Sequence, residues 1–143
     1  MSIKQVSVFL ENRPGTLNEM TTALAAGNID MRALSLAEAG EFGIARIIVD
    51  DVYTASNVLK EAGFIVNLTP VLAFAVPDEP GGLNRILSVF TAEKISIEYM
   101  YATLGGADGH ANMIFRVADV KAAEVVLKAR GLKPLTQEQI SGC

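Results

Sequence analysis

The sequence predicts an α+β protein: two copies of a β-α-β-β-α-β unit, each an antiparallel sheet with its helices on one face. Three observations predict it. Pro14-Gly15-Thr16-Leu17-Asn18 returns 66 residues later as Pro80-Gly81-Gly82-Leu83-Asn84, and at the same offset Ile29 and Met31 meet Ile95 and Ile97. Asp51-Val52, Val58-Leu59-Lys60 and Gly63 return at an offset of 68 as Asp119-Val120, Val126-Leu127-Lys128 and Gly131. Around both sets the apolar period switches between strand and helix spacing in the same order, the mark of a duplicated unit. The change of offset is a two-residue insertion within Gly105-Gly106-Ala107-Asp108-Gly109, where a hairpin loop tolerates it.

Each element follows from its pattern. Val6, Val8 and Leu10 alternate as a strand does, and so do Leu72, Phe74 and Val76. After each Pro-Gly turn, Leu17, Met20 and Leu24, or Leu83, Ile86 and Phe90, recur at helical spacing. Asn28 suits the end of the first helix because Asn tolerates left-handed backbone. A second strand carries Ile29 and Met31, or Ile95, Ile97, Tyr99 and Tyr101. Hairpin loops are expected over 40–43 and 105–109, followed by third strands that set Ala45, Ile47 and Val49, or Met113, Phe115 and Val117, on one face. Asp51 and Asp119 stand at helix starts, where a carboxylate is favoured, and Gly63 and Gly131 close those helices. The second helices bury Val52, Ala55 and Leu59, or Val120, Ala123 and Leu127. A last strand is expected over 64–68, and a shorter one over 132–136.

Two interleaved crossovers of this kind give a ferredoxin-like, four-stranded antiparallel sheet with both helices on one face. The other face carries Ile48, Ile114 and Met100, so another sheet or subunit is expected to cover it. Thr69-Pro70 alone separates the repeats, 1–69 and 70–143, so they are expected side by side.

The bulk composition narrows the function. The chain has 143 residues, half of them apolar and 20% charged, so it reads as globular. With a net charge of −4 and no run of Lys or Arg, it lacks the field that holds a phosphate backbone, and no nucleic acid is expected. The longest apolar run, 71–76, is far too short for a bilayer, and no membrane partner is expected. MSIKQVSVFL lacks the pattern of a signal peptide, so the cytoplasm is the expected compartment. Cys143, the only cysteine, makes neither a disulfide framework nor a metal site and reads as tail. His110, the only histidine, has no Ser, Cys or carboxylate partner nearby in sequence and reads as a surface or edge residue. Asp50-Asp51 is a helix start with no third ligand for a metal, and the glycines of 105–109 lack the Gly-Lys-Ser/Thr ending of a phosphate loop. Tyr99 and Tyr101 read as packing. No cofactor is expected.

Leu10-Glu11-Asn12-Arg13-Pro14-Gly15-Thr16-Leu17, followed by Ala26-Gly27-Asn28-Ile29-Asp30-Met31, resembles the ligand loop of ACT domains, the regulatory modules of amino-acid metabolism. Asp78-Glu79-Pro80-Gly81-Gly82-Leu83, with Ile95-Ser96-Ile97, resembles a second copy. The resemblance spans about 3 to 136. It implies a free amino acid as ligand, bound at these loops. It also implies that a polar residue at the start of a neighbouring domain's second strand completes each site, here Asp30 or Ser96.

The loop's physics stands beside that resemblance. Pro14 fixes the turn, and Gly15 lets a ligand approach the backbone. The amides of Gly15, Thr16 and Leu17 open a helix, and such unpaired N–H groups receive a carboxylate. Asn12 offers a donor and an acceptor. In the second loop Asp78 and Glu79, with Glu98 expected nearby, oppose an anion. The first loop completed by Ser96 is therefore ranked above the second loop completed by Asp30.

The reading that follows is a non-catalytic amino-acid sensor. Two repeats use up the chain, which leaves output to a change of assembly or to a partner enzyme of amino-acid metabolism. A homodimer, joined through sheet faces or edge strands, is expected. The alternatives are a ligand-independent interaction module and a small enzyme of amino-acid metabolism. The enzyme is disfavoured because no nucleophile, base or acid–base pair shares a site. Pro-Gly before a helix is also often no more than a good helix start.

Overall fold

The computed structural model describes residues 3–106 and 108–141, and Cys143 lies outside that range. The chain forms two compact units, Lys4–Thr69 and Pro70 onward, the second joined by Ile3.

The first unit runs β1 (Ile3–Glu11), α1 (Thr16–Ala26), β2 (Met31–Ala39), β3 (Phe42–Val49), α2 (Val52–Glu61) and the opening of β4 (Ile65–Pro77). Its strands stand in the order β2-β3-β1-β4, the ferredoxin-like arrangement. β1 and β3 are antiparallel, with Val6 opposite Ile47 and Glu11 opposite Phe42. β2 pairs with β3 from Ala39 opposite Phe42 back to a bulge between Met31 and Ala33. The alternation seen in the sequence sorts the faces. Val6, Val8, Leu10, Ala45, Ile47 and Val49 meet Met20 and Leu24 of α1, and Val52, Ala55 and Leu59 of α2, in one buried cluster. Gly27 closes α1 tightly against α2, since an added Cβ there would sit 3.1 Å from Val58.

The second unit takes the rest of β4, then α3 (Gly82–Ala92), β5 (Tyr99–Ala102), β6 (His110–Arg116), α4 (Val120–Ala129) and α5 (Gln137–Ser141). Its strand order is β4-β6-β5. Three rings anchor the core. Phe74 lies 6.0 Å from Phe90 and 5.9 Å from Phe115, and the last two are 5.2 Å apart, within the range where aromatic pairs attract.

The helix ends follow the sequence rules. Asp51 and Asp119 cap α2 and α4, accepting from the amides of Thr54 at 3.1 Å and Ala122 at 3.0 Å. The hydrogen bonds from Thr54 hold the Asp51 carboxyl below its ordinary pKa. Asn28 is left-handed at φ 56°, and its counterpart Lys94 is too, at φ 57°.

Four expectations change. No strand forms over 132–136. Pro134 cannot donate to a ladder, and one bond, from the Leu135 amide to the Ala73 carbonyl at 2.7 Å, ties the segment to β4. It leads instead into α5, started by a reciprocal cap in which the Gln139 amide donates to Thr136 Oγ1 and the Thr136 amide to Gln139 Oε1. Secondly, β4 is one 13-residue strand through Thr69-Pro70, since proline's fixed φ suits extended chain. Thirdly, Ile95 and Ile97 precede β5, which spans only four residues. Fourthly, Met100 sits opposite Phe115 and packs on the helix-side cluster, while Ile48 and Ile114 are fully buried outside both helix-side clusters.

Candidate functional site

The Pro-Gly turn of the first unit is held by short-range bonds. The Asn12 amide donates to the Glu41 carbonyl at 2.8 Å, and the Arg13 amide to the Glu11 carbonyl at 2.9 Å. Thr16, buried, donates its hydroxyl to the Glu11 carbonyl at 2.8 Å and contacts the Arg13 carbonyl at 3.1 Å. Thr16 is thus a brace for the turn. Gly15 opens α1 in the left-handed region, φ 92°, with no side chain to cap it. Of the amides the sequence offers, Thr16's is spent on the Arg13 carbonyl at 3.4 Å; among the described residues those of Leu17 and Asn18 find no backbone partner, so they stay available to an anion.

Beside this helix start lies a recess of about 310 Å³. Leu10, Leu17, Leu36 and Phe42 give it apolar walls, while Glu11, Asn12, Thr16 and Glu38 give it polar ones. The hairpin residues reach it because β3 begins opposite the end of β1. Leu36, Glu38 and Phe42 are absent from the residues that the sequence places at the site. Arg13 does not enter its lining. Its guanidinium lies 3.1 Å from Glu11 and 3.4 Å from Glu19, and those hydrogen bonds, Glu11's the stronger, raise its pKa above the ordinary value.

The second turn copies the first with changes. Asp78 donates its amide to the Gly109 carbonyl at 2.8 Å, and Gly81 is left-handed at φ 82°. Where Thr16 braces the first turn, Gly82 lies so close to Pro77 that an added Cβ would be 2.1 Å from its carbonyl oxygen. The latch between loop and helix survives with its charges exchanged: Arg13 with Glu19 in the first unit, Glu79 with Arg85 at 3.1 Å in the second.

These observations join to an outside comparison. Residues 1–142 match the family described as an ACT domain pair. The chain belongs to that family. The pair is similar along its whole length to protein BT0572 from Bacteroides thetaiotaomicron, with 38% identity, coverage of 100% of this chain and 98% of that one, and a TM-score of 0.91. The regulatory subunit of aspartate kinase from Thermus thermophilus shares the fold at 15% identity, with 92% of each chain covered and a TM-score of 0.65. Its counterpart from Thermus flavus does so at 16% identity, with 90% of each chain covered and a TM-score of 0.59. No curated protein matches the pair.

Within each unit the two halves of the implied site are far apart. Asp30 hydrogen-bonds through its backbone with Asp50 at the end of β3, and its carboxylate meets Arg32 at 3.1 Å. The Pro-Gly loop sits at the other end of β3, an eight-residue strand about 23 Å long. Ser96 likewise lies near the Arg116 end of β6, and the second loop at its His110 end. Ser96 lines a separate recess of about 430 Å³ with Lys94, Asp119, Ala122 and Val126. Glu98 pairs with Arg116 at 3.4 Å, and its amide donates to the Arg116 carbonyl at 2.8 Å. It therefore does not join Asp78 and Glu79: the antiparallel register puts it at the far end of the sheet.

His110 is exposed at the start of β6, its Nδ1 3.2 Å from the Asp108 carbonyl. The Tyr99 and Tyr101 rings stack with centroids 6.5 Å apart. Among the described residues no cluster of His, Cys, Asp and Glu can hold a metal, and no helix is long and apolar enough to cross a membrane.

Proposed function

We propose that this ACT domain pair is a regulatory protein that binds a free amino acid at the Pro-Gly loop of its first unit and catalyses nothing itself. One observation carries the reading: an uncapped helix start, left open by Gly15, beside a recess of amino-acid size. The ligand's carboxylate takes the Leu17 and Asn18 amides, where the helix dipole favours an anion. The apolar walls receive its side chain, and Glu11 and Glu38 are the carboxylates at hand for its ammonium group. The second loop, with Asp78, Gly81, Gly82 and Leu83, ranks below the first because Asp78 and Glu79 repel a carboxylate.

Membership in a family of paired ACT domains, and a fold shared with a regulatory subunit of aspartate kinase, support a regulatory role. An enzyme of amino-acid metabolism is the proposed partner, a homodimer the proposed assembly and the cytoplasm the proposed compartment. Asp30 and Ser96 are proposed as completing residues on the family resemblance, and Asp30→Ala and Ser96→Ala test them.

The experiment is a thermal-shift panel of the twenty amino acids followed by calorimetric titration of any hit. A ligand at a hundredfold its dissociation constant stabilises by about 2.7 kcal/mol. Gly15→Val is expected to abolish the shift. A panel without a shift or heat of binding overturns the proposal in favour of a ligand-independent interaction module, and binding that survives Gly15→Val moves the site elsewhere.

A further inference from the structure

The two units differ where the first helix of each ends beside the start of the second. In the first unit that place is closed by three contacts. A Cβ on Gly27 would lie 3.1 Å from Val58, so α1 and α2 come together there. The Asp30 amide donates to the Asp50 carboxylate at 3.0 Å. Asp51 accepts from both the amide and the hydroxyl of Thr54, at 3.1 and 2.7 Å. At the offsets of 66 and 68 the second unit changes a residue in each contact. Glu93 stands for Gly27, Ala118 for Asp50 and Ala122 for Thr54, while Val126, Ser96 and Asp119 take the places of Val58, Asp30 and Asp51. All six line the recess of about 430 Å³. Small-molecule pockets run from about 300 to 1,000 Å³, and this one falls among them.

The polar groups left over in that recess specify a charge. Among the described residues the Ser96 amide has no hydrogen-bond partner, because Ala118 carries no carboxylate to accept from it. Lys94, also in the lining, forms no ion pair among them, whereas Glu93 and Glu98 are matched by Arg130 at 3.5 Å and Arg116 at 3.4 Å. Ile95 and Val117, with Val126, make the rest of the lining apolar. One N–H and one cation beside an aliphatic wall suit an anionic head on an apolar body. Asp119 does not forbid it. The first unit holds the Asp50 carboxylate next to the Asp51 cap, so this fold already accepts a carboxylate at that place.

We infer that the second unit carries a separate site for a small branched aliphatic monocarboxylate, between the end of α3 and the start of α4. The ligand's carboxylate accepts from the Ser96 amide, as the Asp50 carboxylate accepts from Asp30 in the first unit. Lys94 supplies the countercharge. The ligand's chain lies against Ile95, Val117 and Val126. The site uses neither Pro-Gly loop and lies within one unit, so it does not rest on the amino-acid site proposed above.

The probe is isovalerate, titrated into the full chain by calorimetry and followed through the methyl NMR signals. Saturable binding at millimolar concentration is expected, with the Ile95 and Val126 methyls among the signals that shift. Isovaleramide, the same shape without the charge, binds about tenfold more weakly. Lys94→Gln weakens isovalerate to a similar degree. Ala118→Asp restores the carboxylate of the first unit, occupies the Ser96 amide from within the chain and abolishes binding, with circular dichroism confirming the fold of each variant. Absence of saturable binding overturns the inference. So does binding that Ala118→Asp leaves intact. Shifts at Leu17 and Leu36 in place of Ile95 and Val126 put the acid at the first Pro-Gly loop and overturn it as well. A chain that binds isovalerate in this way and none of the twenty amino acids keeps this site and loses the proposed function instead.

Discussion

Gly82→Ala is the sharpest test of how the second loop is built. The built Cβ would lie 2.1 Å from the Pro77 carbonyl oxygen and 3.1 Å from its carbonyl carbon. Ordinary carbon–oxygen contacts are more than 1 Å longer, and both colliding groups are backbone, so no side-chain rotation relieves them. Pro77 is held opposite His110 in the β4–β6 ladder, and the Gly82 amide is held by Glu79 at 3.0 Å. Either the strand end or the helix start must move. Forced overpacking costs about 1–3 kcal/mol, and loss of the loop bond adds about 1 kcal/mol, for a total of about 2–4 kcal/mol. At roughly 3 °C per kcal/mol, the melting midpoint falls by about 6–12 °C. Gly15→Ala is the control, because its Cβ meets nothing within 4 Å and only the left-handed φ of 92° opposes it, at about 1–2 kcal/mol. Urea unfolding followed by circular dichroism measures both. If Gly82→Ala costs less than Gly15→Ala, the close approach to Pro77 is not what selects glycine there, and the contrast drawn between the two loops fails.

Four further outcomes follow from the packing. Phe115→Ala removes the ring that contacts both Phe74 and Phe90 and is expected to cost about 3–5 kcal/mol in chemical denaturation. Asp119→Ala deprives the Ala122 amide of its cap and should cost about 1 kcal/mol in the same assay. The Asp51 carboxyl has its pKa lowered by folding, so its contribution is present above the ordinary carboxylate range and is lost as pH falls through the folded pKa. Melting midpoints of Asp51→Asn taken down through acid pH should accordingly fall less steeply than those of the parent, and parallel curves would refute the assignment. Exchanging the latch charges, Arg13→Glu with Glu19→Arg, in a Glu11→Gln background that removes Arg13's other partner, reproduces the exchanged pair of the second unit. It should leave the melting midpoint nearly unchanged, while Glu19→Arg alone lowers it at low salt.

Most of the framework is legible because duplication reads each element twice. Val8 and Phe74, Met20 and Ile86, and Leu59 and Leu127 are all buried at positions the periodicity names. The misreadings have local causes. Lys-Pro-Leu-Thr after Gly131 reads as a strand by analogy with the first repeat, although Pro134 breaks the ladder and Thr136 with Gln139 spells a helix cap. Thr69-Pro70 looks like a linker because proline usually punctuates, yet an extended strand accepts its φ. At the site, Asn12 to Leu17 are visible as a contiguous motif. Leu36, Glu38 and Phe42 are not, because they come from a hairpin whose place beside the loop depends on strand register. Arg13 with Glu19 and Glu79 with Arg85 are readable at the 66-residue offset, but only coordinates show that both pairs close.

The register of each sheet also constrains what one unit can do alone. A free amino acid is less than 10 Å long, whereas the Pro-Gly loop and Asp30 are separated by the length of β3, about 23 Å. Loop 78–83 and Ser96 are divided in the same way by β6, about 20 Å. A ligand that touches both kinds of residue must therefore take them from different copies of the unit. Binding then contributes free energy only in the arrangement that brings those copies together, and by linkage the same arrangement raises the affinity.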